Sequence, residues 1–425
     1  MEFKLPYGRG YEALNISDNA NVECLIGSVY DSVPEKSGTE LVAAAMNSPY
    51  GGVALHQMAQ PAKNAVIICS DHTRPVPSKD IIPAMLKELR KGNPDIDITI
   101  LVATGFHRLT TKDELISKFG AEIVQNEKII VHDSGDTSCL INLGALPSGA
   151  ELWINKLAVE CDLLIAEGFI EPHFFAGFSG GRKSVLPGIA GRQTVLGNHC
   201  GEFIAHPHAR TGILDGNPLH KDMCAAADMA NLKYIVNVVI NGKKETLQAF
   251  AGSWREAHSA GCDYLRGLAG VKPEKRADII ITSNGGYPLD QNIYQSVKCM
   301  SAAEAAAGEN AVIIALSFCE DGTGSEDFYN DLKDCISPEE LYKRLSETPM
   351  DKTLPDQWES QVLARIMIKH KIIFVCNEQM RPFAEKMKLI TAGNLSEAFE
   401  MAKELKGENA SITIIPDGVS VIVES

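Results

Sequence analysis

Short runs of Val and Ile that alternate with helical stretches are the feature that most constrains the fold of this chain. Helical patterns lie at 78–92, 217–230 and 301–309. The apolar runs predict seven strands: NAVIICS (64–70), ITILVAT (98–104), KIIVHDS (128–134), ADIIITS (277–283), NAVIIAL (310–316), KIIFVCN (371–377) and SITIIPD (411–417). Strands that are apolar along their whole length are typical of parallel sheets covered by helices on both faces. The sequence therefore predicts an α/β fold with largely parallel sheets.

The length of the chain indicates more than one core. A chain of 425 residues exceeds one ordinary domain, so two are expected. The polar segment GVKPEKRAD (270–278) precedes a new strand and is the best boundary. We expect an N-terminal α/β domain at about 1–270 and a C-terminal α/β domain at about 277–425, with the active site in the cleft between them. The last strand could belong to either domain.

Composition excludes some classes of function. The formal net charge is −15, which argues against a nucleic-acid partner, because phosphate binding needs a basic excess. The N-terminus MEFKLPYGRG lacks the apolar core of a signal peptide, and no apolar stretch is long enough to span a membrane. The eleven cysteines include no C-x-x-C pair, which favours reduced thiols. We therefore expect a cytoplasmic protein.

Polar clusters follow several predicted strands directly. They are DHTRP (71–75), GFHR (105–108), SNGGYPLDQ (283–291) and CEDGTG (319–324). Ligands of open α/β sheets sit at the carboxyl ends of strands, so these clusters predict a binding site. Taken alone, Asp71 and Arg74 also fit a strand-end cap and a surface ion pair.

A glycine-rich segment covers residues 167–199. Within it, GFSGGRKS (177–184) combines glycines, a serine and two cations, which can wrap a phosphate. The spacing matches neither a Walker A loop nor a dinucleotide fingerprint. A tight turn explains the same glycines equally well. Histidines are concentrated here and just beyond, at His173, His199, His206, His208 and His220. The His206–His208 pair could bind a metal, although no neighbouring motif supports it.

Five motifs together resemble those of one enzyme family. EPHFFAGFSGGRKSVLPG (171–188) and the GNH that follows it (197–199) resemble the signature of the nickel-pincer lactate racemases. DHTRP, GFHR and QNIYQSVK (291–298) fit the same family in the same order, so the match runs from about residue 60 to 360. The resemblance implies a racemase or epimerase of 2-hydroxy acids. It also implies proton-coupled hydride transfer to a lysine-tethered nickel-pincer nucleotide, which is nickel held by pyridinium-3,5-bisthiocarboxylic acid mononucleotide.

The resemblance assigns roles to individual residues. Lys183 matches the covalent tether of the cofactor, His199 the nickel ligand, and His107 and His173 the two catalytic bases. The implied cofactor contacts are Asp71, Thr73, Arg74, Gly177, Ser179, Gly180 and Gly181. The implied substrate contacts are Arg74, Gln295, Lys298 and Trp358. The implied partners are a small 2-hydroxy acid and separate enzymes that make the cofactor.

The chemistry of racemisation suits these residue types. A C2 proton beside a carboxylate is barely acidic, whereas hydride removal gives a 2-keto acid and avoids a carbanion. The hydroxyl must then lose a proton, which histidine can accept because its ordinary pKa is about 6.5. Two bases on opposite sides serve two enantiomers, and a guanidinium such as that of Arg74 can bind the carboxylate.

Other functions remain open from the sequence. The same histidines could hold zinc or manganese in a hydrolase or lyase, and a non-catalytic binding protein could keep the fold. Within the racemase interpretation, lactate is the default substrate, and malate or a longer sugar acid is the alternative.

Overall fold

The computed structural model describes residues 1–424, which form two compact units. The central unit comprises residues 28–198 and 213–268, and the terminal unit comprises residues 1–27, 199–212 and 269 onward. The units are therefore interleaved along the chain, and the boundary near residue 270 stays a prediction.

The strands are mostly short and lie in both units. In chain order they are β1 Glu2–Tyr7, β2 Gly10–Asn15, β3 Val22–Cys24, β4 Asn64–Ser70, β5 Asp97–Ala103, β6 Lys128–Val131, β7 Leu140–Ala145, β8 Glu151–Asn155, β9 Leu163–Phe169, β10 Pro172–His173, β11 Gly177–Phe178, β12 Leu232–Ile240, β13 Thr246–Ser253, β14 Gly270–Val271, β15 Ala277–Ser283, β16 Ala307–Leu316, β17 Lys371–Val375, β18 Ile390–Ala392, β19 Ile412–Ile415 and β20 Ile422–Val423.

The helices alternate with these strands. They are α1 Gly38–Asn47, α2 Leu55–Ala59, α3 Ser78–Gly92, α4 Lys112–Phe119, α5 Ala121–Asn126, α6 Lys156–Glu160, α7 Arg192–Asn198, α8 Gly201–Ala205, α9 Pro218–Met229, α10 Trp254–Ala269, α11 Ile293–Ala306, α12 Glu326–Asp334, α13 Pro338–Ser346, α14 Gln357–Lys369, α15 Arg381–Lys386 and α16 Leu395–Lys406. Short 3₁₀ turns lie at Thr137–Cys139, Gly181–Ser184 and Met350–Lys352. No helix of residues 1–424 is long and apolar enough to cross a bilayer.

A six-stranded sheet forms the core of the central unit, in the order β13-β12-β9-β4-β5-β6. Five of its strands are parallel, and β13 is an antiparallel edge. Ile67, Ile100, Ile165 and Val236 are fully buried in it. Burying each such side chain contributes about 1.5–3 kcal/mol, which explains why the strands are apolar along most of their length.

The terminal unit has a second six-stranded sheet, in the order β18-β17-β16-β15-β19-β3, and all its strands are parallel. β19 lies between β15 and β3, so this late strand belongs with residues 269 onward. Because β3 pairs with β19, residues 1–27 belong to the same unit.

The α/β prediction is confirmed, with corrections of detail. All seven predicted strands exist, but the other thirteen were missed, among them β9, β12 and β13 of the central sheet. The helix predicted at 301–309 is α11, which begins at Ile293 because the Asn292 side chain accepts the Gln295 N–H at 3.0 Å. It ends at Ala306, and residues 307–309 start β16.

Candidate active site

The carboxyl ends of β4 and β5 bring two predicted site residues together. The strands are parallel neighbours that pair Ser70 with Ala103, so the segments after them leave the same edge of the sheet. Asp71 and His107 come from these two segments. The His107 Nδ1–H donates to Asp71 Oδ2 at 2.6 Å.

The Asp71 carboxylate is built to remain ionised. It is 1% exposed, and its Oδ1 accepts the Thr73 N–H at 3.1 Å and the Thr73 hydroxyl at 2.7 Å. Burial is the largest influence and opposes ionisation, but the interactions with His107, Thr73 and Arg74 together outweigh it, so the pKa of Asp71 lies below its ordinary value. Because the Asp71 carboxylate accepts the Nδ1–H of His107, the Nε2 of a neutral ring carries no proton and is the basic nitrogen. The pair therefore holds a base in one tautomer at the end of the sheet.

A buried carboxylate ties this region to β9. Glu167 lies in β9 and is 1% exposed. It accepts the Ser70 N–H at 3.1 Å and the hydroxyls of Ser70 and Ser78 at 3.0 and 3.1 Å. Glu167 therefore fixes the start of α3 and the end of β4, just before Asp71.

His173 stands in a different environment from His107. It lies in β10, which pairs with β11, and its Nδ1 accepts the Ala176 N–H at 3.3 Å. Its ring stacks on Phe174 at 5.3 Å and meets Phe175 edge-on at 4.5 Å. Because Nδ1 accepts, neutral His173 carries its ring proton on Nε2, the reverse of His107.

Lys183 shares an aromatic neighbour, Phe175, with this histidine. It belongs to the 3₁₀ turn after the glycine loop, where its N–H donates to Gly180 O at 3.1 Å. Its ammonium nitrogen lies 5.8 Å from the centre of the Phe175 ring, the ring that also contacts His173. The structure thus groups the predicted tether and one predicted base around a single aromatic side chain.

The glycines of the loop are required by backbone geometry. Gly177 and Gly180 have φ of +78° and +76°, a conformation that favours glycine. A Cβ at Gly177 would lie 2.4 Å from Ile213 O, and one at Gly180 would lie 2.9 Å from Phe169 O. The tight-turn interpretation therefore accounts for these glycines, and their contact with a phosphate stays a prediction.

Two polar groups of this loop are engaged within the protein. The Ser179 hydroxyl donates to Phe169 O at 3.0 Å and accepts the Glu171 N–H at 2.9 Å. The Gly181 N–H donates to Asn237 Oδ1 at 2.8 Å. These contacts hold the loop on β9 and β12, so Ser179 and Gly181 shape it from within.

His199 belongs to the terminal unit, where its surroundings are aromatic. Its ring meets the Trp358 indole edge-on at 5.0 Å. The Trp358 Nε1–H donates to Tyr294 Oη at 3.2 Å, and the Tyr294 hydroxyl donates to Asp356 Oδ1 at 3.1 Å. Asp356 also accepts the Ser325 hydroxyl at 2.7 Å. This chain of contacts fixes the indole against the predicted nickel ligand.

Gln295 and Lys298 lie one turn apart on α11, and both are half-buried. Glu359 on α14 is buried near Lys298, and its Oε1 has no hydrogen-bond partner among residues 1–424. Burial raises the pKa of Glu359 well above its ordinary value, although Lys298 opposes the shift. Arg74, another predicted substrate contact, is exposed in the central unit.

Comparisons with known proteins agree over the whole chain. Two family models match, "Lactate racemase N-terminal domain" at residues 7–212 and "Lactate racemase C-terminal domain" at residues 272–423. The chain belongs to the lactate racemase family. It is therefore an isomerase of the racemase class, and the predicted resemblance is confirmed.

Individual relatives of the lactate racemase family cover nearly all of the chain. A lactate racemase of Thermoanaerobacterium thermosaccharolyticum is 49% identical over 420 residues, which is 99% of this chain and 98% of that protein. One of Lactiplantibacillus plantarum is 48% identical over 420 residues, 99% of each chain. The structure of the T. thermosaccharolyticum lactate racemase apoprotein matches with a TM-score of 0.96 at 48% identity over the full length of both chains. A Thermotoga maritima protein, at 16% identity and a TM-score of 0.62, covers 91% of this chain and 98% of its own, and shares the fold.

Membership of the lactate racemase family favours the racemase interpretation over a hydrolase or lyase. Within residues 1–424, no group of three or more His, Cys, Asp or Glu side chains is arranged to hold a metal ion. The rings of His206 and His208 lie 5.5 Å apart, and His206 Nδ1 accepts the His208 N–H at 3.2 Å. This contact gives the HPH motif a structural role.

Sequence reasoning missed several residues that lie next to the predicted site residues. They are Glu167, Arg182, Tyr294, Asp356 and Glu359. Two of them carried a usable signal, because Glu167 interrupts an otherwise apolar run and Arg182 adjoins the predicted tether. The other three act through partners distant in sequence, which no local pattern reveals.

Proposed function

We propose that this chain racemises lactate by removing the C2 hydrogen as hydride and returning it to the opposite face. The observation that carries the proposal is the hydrogen bond between the buried Asp71 carboxylate and the exposed His107 ring at the carboxyl end of a parallel sheet. The names of the relatives support lactate as the substrate. Malate and longer sugar acids remain alternatives, which turnover of a panel of enantiopure 2-hydroxy acids would separate.

His107 acts as the base, because its Nε2 is already unprotonated in the neutral ring held by Asp71. Its Nε2 accepts the hydroxyl proton as the hydride leaves C2, and Asp71 stabilises the imidazolium that forms. His173 offers an N–H at the corresponding nitrogen, since its Nδ1 accepts from Ala176. Arg74 and Lys298 bind the carboxylate, and Gln295 and Trp358 complete the substrate contacts.

The residues fit a nickel-pincer nucleotide. Lys183 supplies a primary amine beside an aromatic ring for covalent attachment, and His199 supplies one imidazole for nickel. Asp71, Thr73, Arg74 and the loop from Gly177 to Gly181 lie along the segments that would contact the nucleotide. The chemistry that this group supplies when bound is the acceptance and return of hydride. Separate maturation enzymes would make it, and a cytoplasmic location stays a prediction.

Isotope retention tests the hydride mechanism. With C2-deuterated lactate in ordinary water, we expect the racemised product to keep most of its deuterium, because a transferred hydride does not exchange with solvent. Mass spectrometry of the product and the primary isotope effect on the rate measure this. Rapid loss of deuterium to water, with no primary isotope effect, would show proton abstraction instead.

Replacement of His199 tests the nickel assignment. We expect His199→Ala to lose nickel on gel filtration, because the proposed site has one protein ligand, while circular dichroism stays that of the wild type. His206→Ala is the matched control from the same segment and should keep nickel. Full nickel occupancy in His199→Ala contradicts the assignment.

A further inference from the structure

Arg182 is a fully buried cation next to the proposed tether. It is 0% exposed and follows the glycine loop directly. Its Nη2–H donates to Ala176 O at 2.9 Å, and its Nη1–H groups donate to Gly180 O at 3.2 Å and Ser179 O at 3.4 Å. The guanidinium therefore holds three carbonyl groups of the loop from inside the protein.

Two histidines complete the surroundings of Arg182. The Nε–H donates to His220 Nδ1 at 3.0 Å, and Nη1 lies 3.0 Å from His258 Nε2. Burial, reinforced by the charge of Arg182, lowers the pKa of His220 to about 3 and that of His258 well below its ordinary value. Both rings are therefore neutral at physiological pH.

The charge of Arg182 is not compensated within the described chain. Among residues 1–424, no Asp or Glu side chain pairs with its guanidinium, and the acidic groups that act on it are the thiols of Cys262 and Cys224. Burial raises the pKa of the Cys262 thiol to about 12 and raises that of Cys224, so both are protonated at neutral pH. An unpaired buried charge is costly, and proteins keep one chiefly where a ligand or a function uses it.

We propose that Arg182 is a positioning residue that supplies a fixed positive charge, from beneath the glycine loop, to the phosphate of a mononucleotide bound there. It acts without touching the phosphate, because its side chain is 0% exposed and faces the loop carbonyls and the two histidines. In a low-dielectric interior such a charge acts over several ångströms. The inference rests on the proposed nucleotide cofactor and adds a residue to its binding.

A matched pair of substitutions at His220 tests the charge. His220→Gln keeps an uncharged acceptor for Arg182, whereas His220→Glu gives the guanidinium a counter-ion. We measure binding of nicotinic acid mononucleotide, a pyridinium nucleotide with one phosphate, to the cofactor-free protein by titration calorimetry. We expect His220→Glu to bind on the order of ten-fold more weakly, a difference of about 1.4 kcal/mol. His220→Gln should bind like the wild type, and circular dichroism should show both variants folded.

Equal dissociation constants for the two folded variants would overturn the inference, as would a wild type that binds neither this nucleotide nor inorganic phosphate. Arg182→Lys gives a second measurement, since it keeps the charge and should bind more tightly than Arg182→Gln. If either His220 variant fails to fold, the comparison of Arg182→Lys with Arg182→Gln is used instead. Equal nucleotide binding by these two variants overturns the inference. Racemisation of lactate by the cofactor-loaded wild type tests the proposed function separately, so the two failures are distinguishable.

Discussion

Replacing His107 with alanine is expected to slow the interconversion of the lactate enantiomers by about 10²–10⁴-fold in both directions. The hydroxyl proton must leave as the hydride departs, and the pair with Asp71 holds His107 with its basic nitrogen available. With C2–H and the carboxylate fixed, inversion at C2 moves the hydroxyl to the other side, beyond the reach of one histidine. We therefore expect His173→Ala to slow the interconversion by a similar factor, because each turnover uses one histidine as base and the other as acid.

Single-turnover experiments separate the two bases. Each variant should still oxidise one enantiomer to the keto acid, and the two variants should prefer opposite enantiomers. His56→Ala is a suitable control, because His56 lies on α2 and contacts Glu88 instead of a candidate site residue. If fully loaded His107→Ala racemises at nearly the wild-type rate, His107 is not a catalytic base.

Replacing Lys183 with alanine is expected to abolish covalent attachment of the cofactor completely. No other side chain of the segment GFSGGRKS has a primary amine, so no neighbouring residue of this segment can replace Lys183 as the point of attachment. Protein made together with the maturation enzymes should show added mass in the wild type and none in Lys183→Ala. Racemisation should be lost with it.

The matched control is Lys156→Ala, which removes an exposed lysine from the same unit. It should carry the same added mass as the wild type. An unchanged mass in wild-type protein with active maturation enzymes, or added mass in Lys183→Ala, argues against the tether.

The sequence predicted strands that read as unbroken apolar runs, and missed β9 although all of its residues are buried. β9 contains Glu167, whose charge breaks the apolar pattern and is tolerated because Ser70 and Ser78 donate to it. β13 is an antiparallel edge whose small residues carry a weak pattern. Both strands become evident only when the neighbouring chain segments are known.

Part of the candidate site followed from a general rule. Polar clusters after β4 and β5 were expected near one sheet edge, and Asp71 does meet His107 there. The hydrogen bond itself could not be predicted, because Asp71 alone fits a strand-end cap equally well. The contact of Trp358 with Tyr294, 64 positions earlier, is likewise a tertiary property.

The pairing of β3 with β19 has a consequence for the order of synthesis. Val22 and Ile412, which are partners in that sheet, stand 390 positions apart. All strands of the central sheet have been synthesised once Ser253 has been added. In contrast, β3 is synthesised early, and its partner β19 is synthesised near the end of the chain. Contacts this distant in sequence form slowly, and an unpaired strand edge invites aggregation meanwhile. A chain truncated between residues 268 and 412 therefore has every strand of the central sheet and a β3 segment without its partner strand.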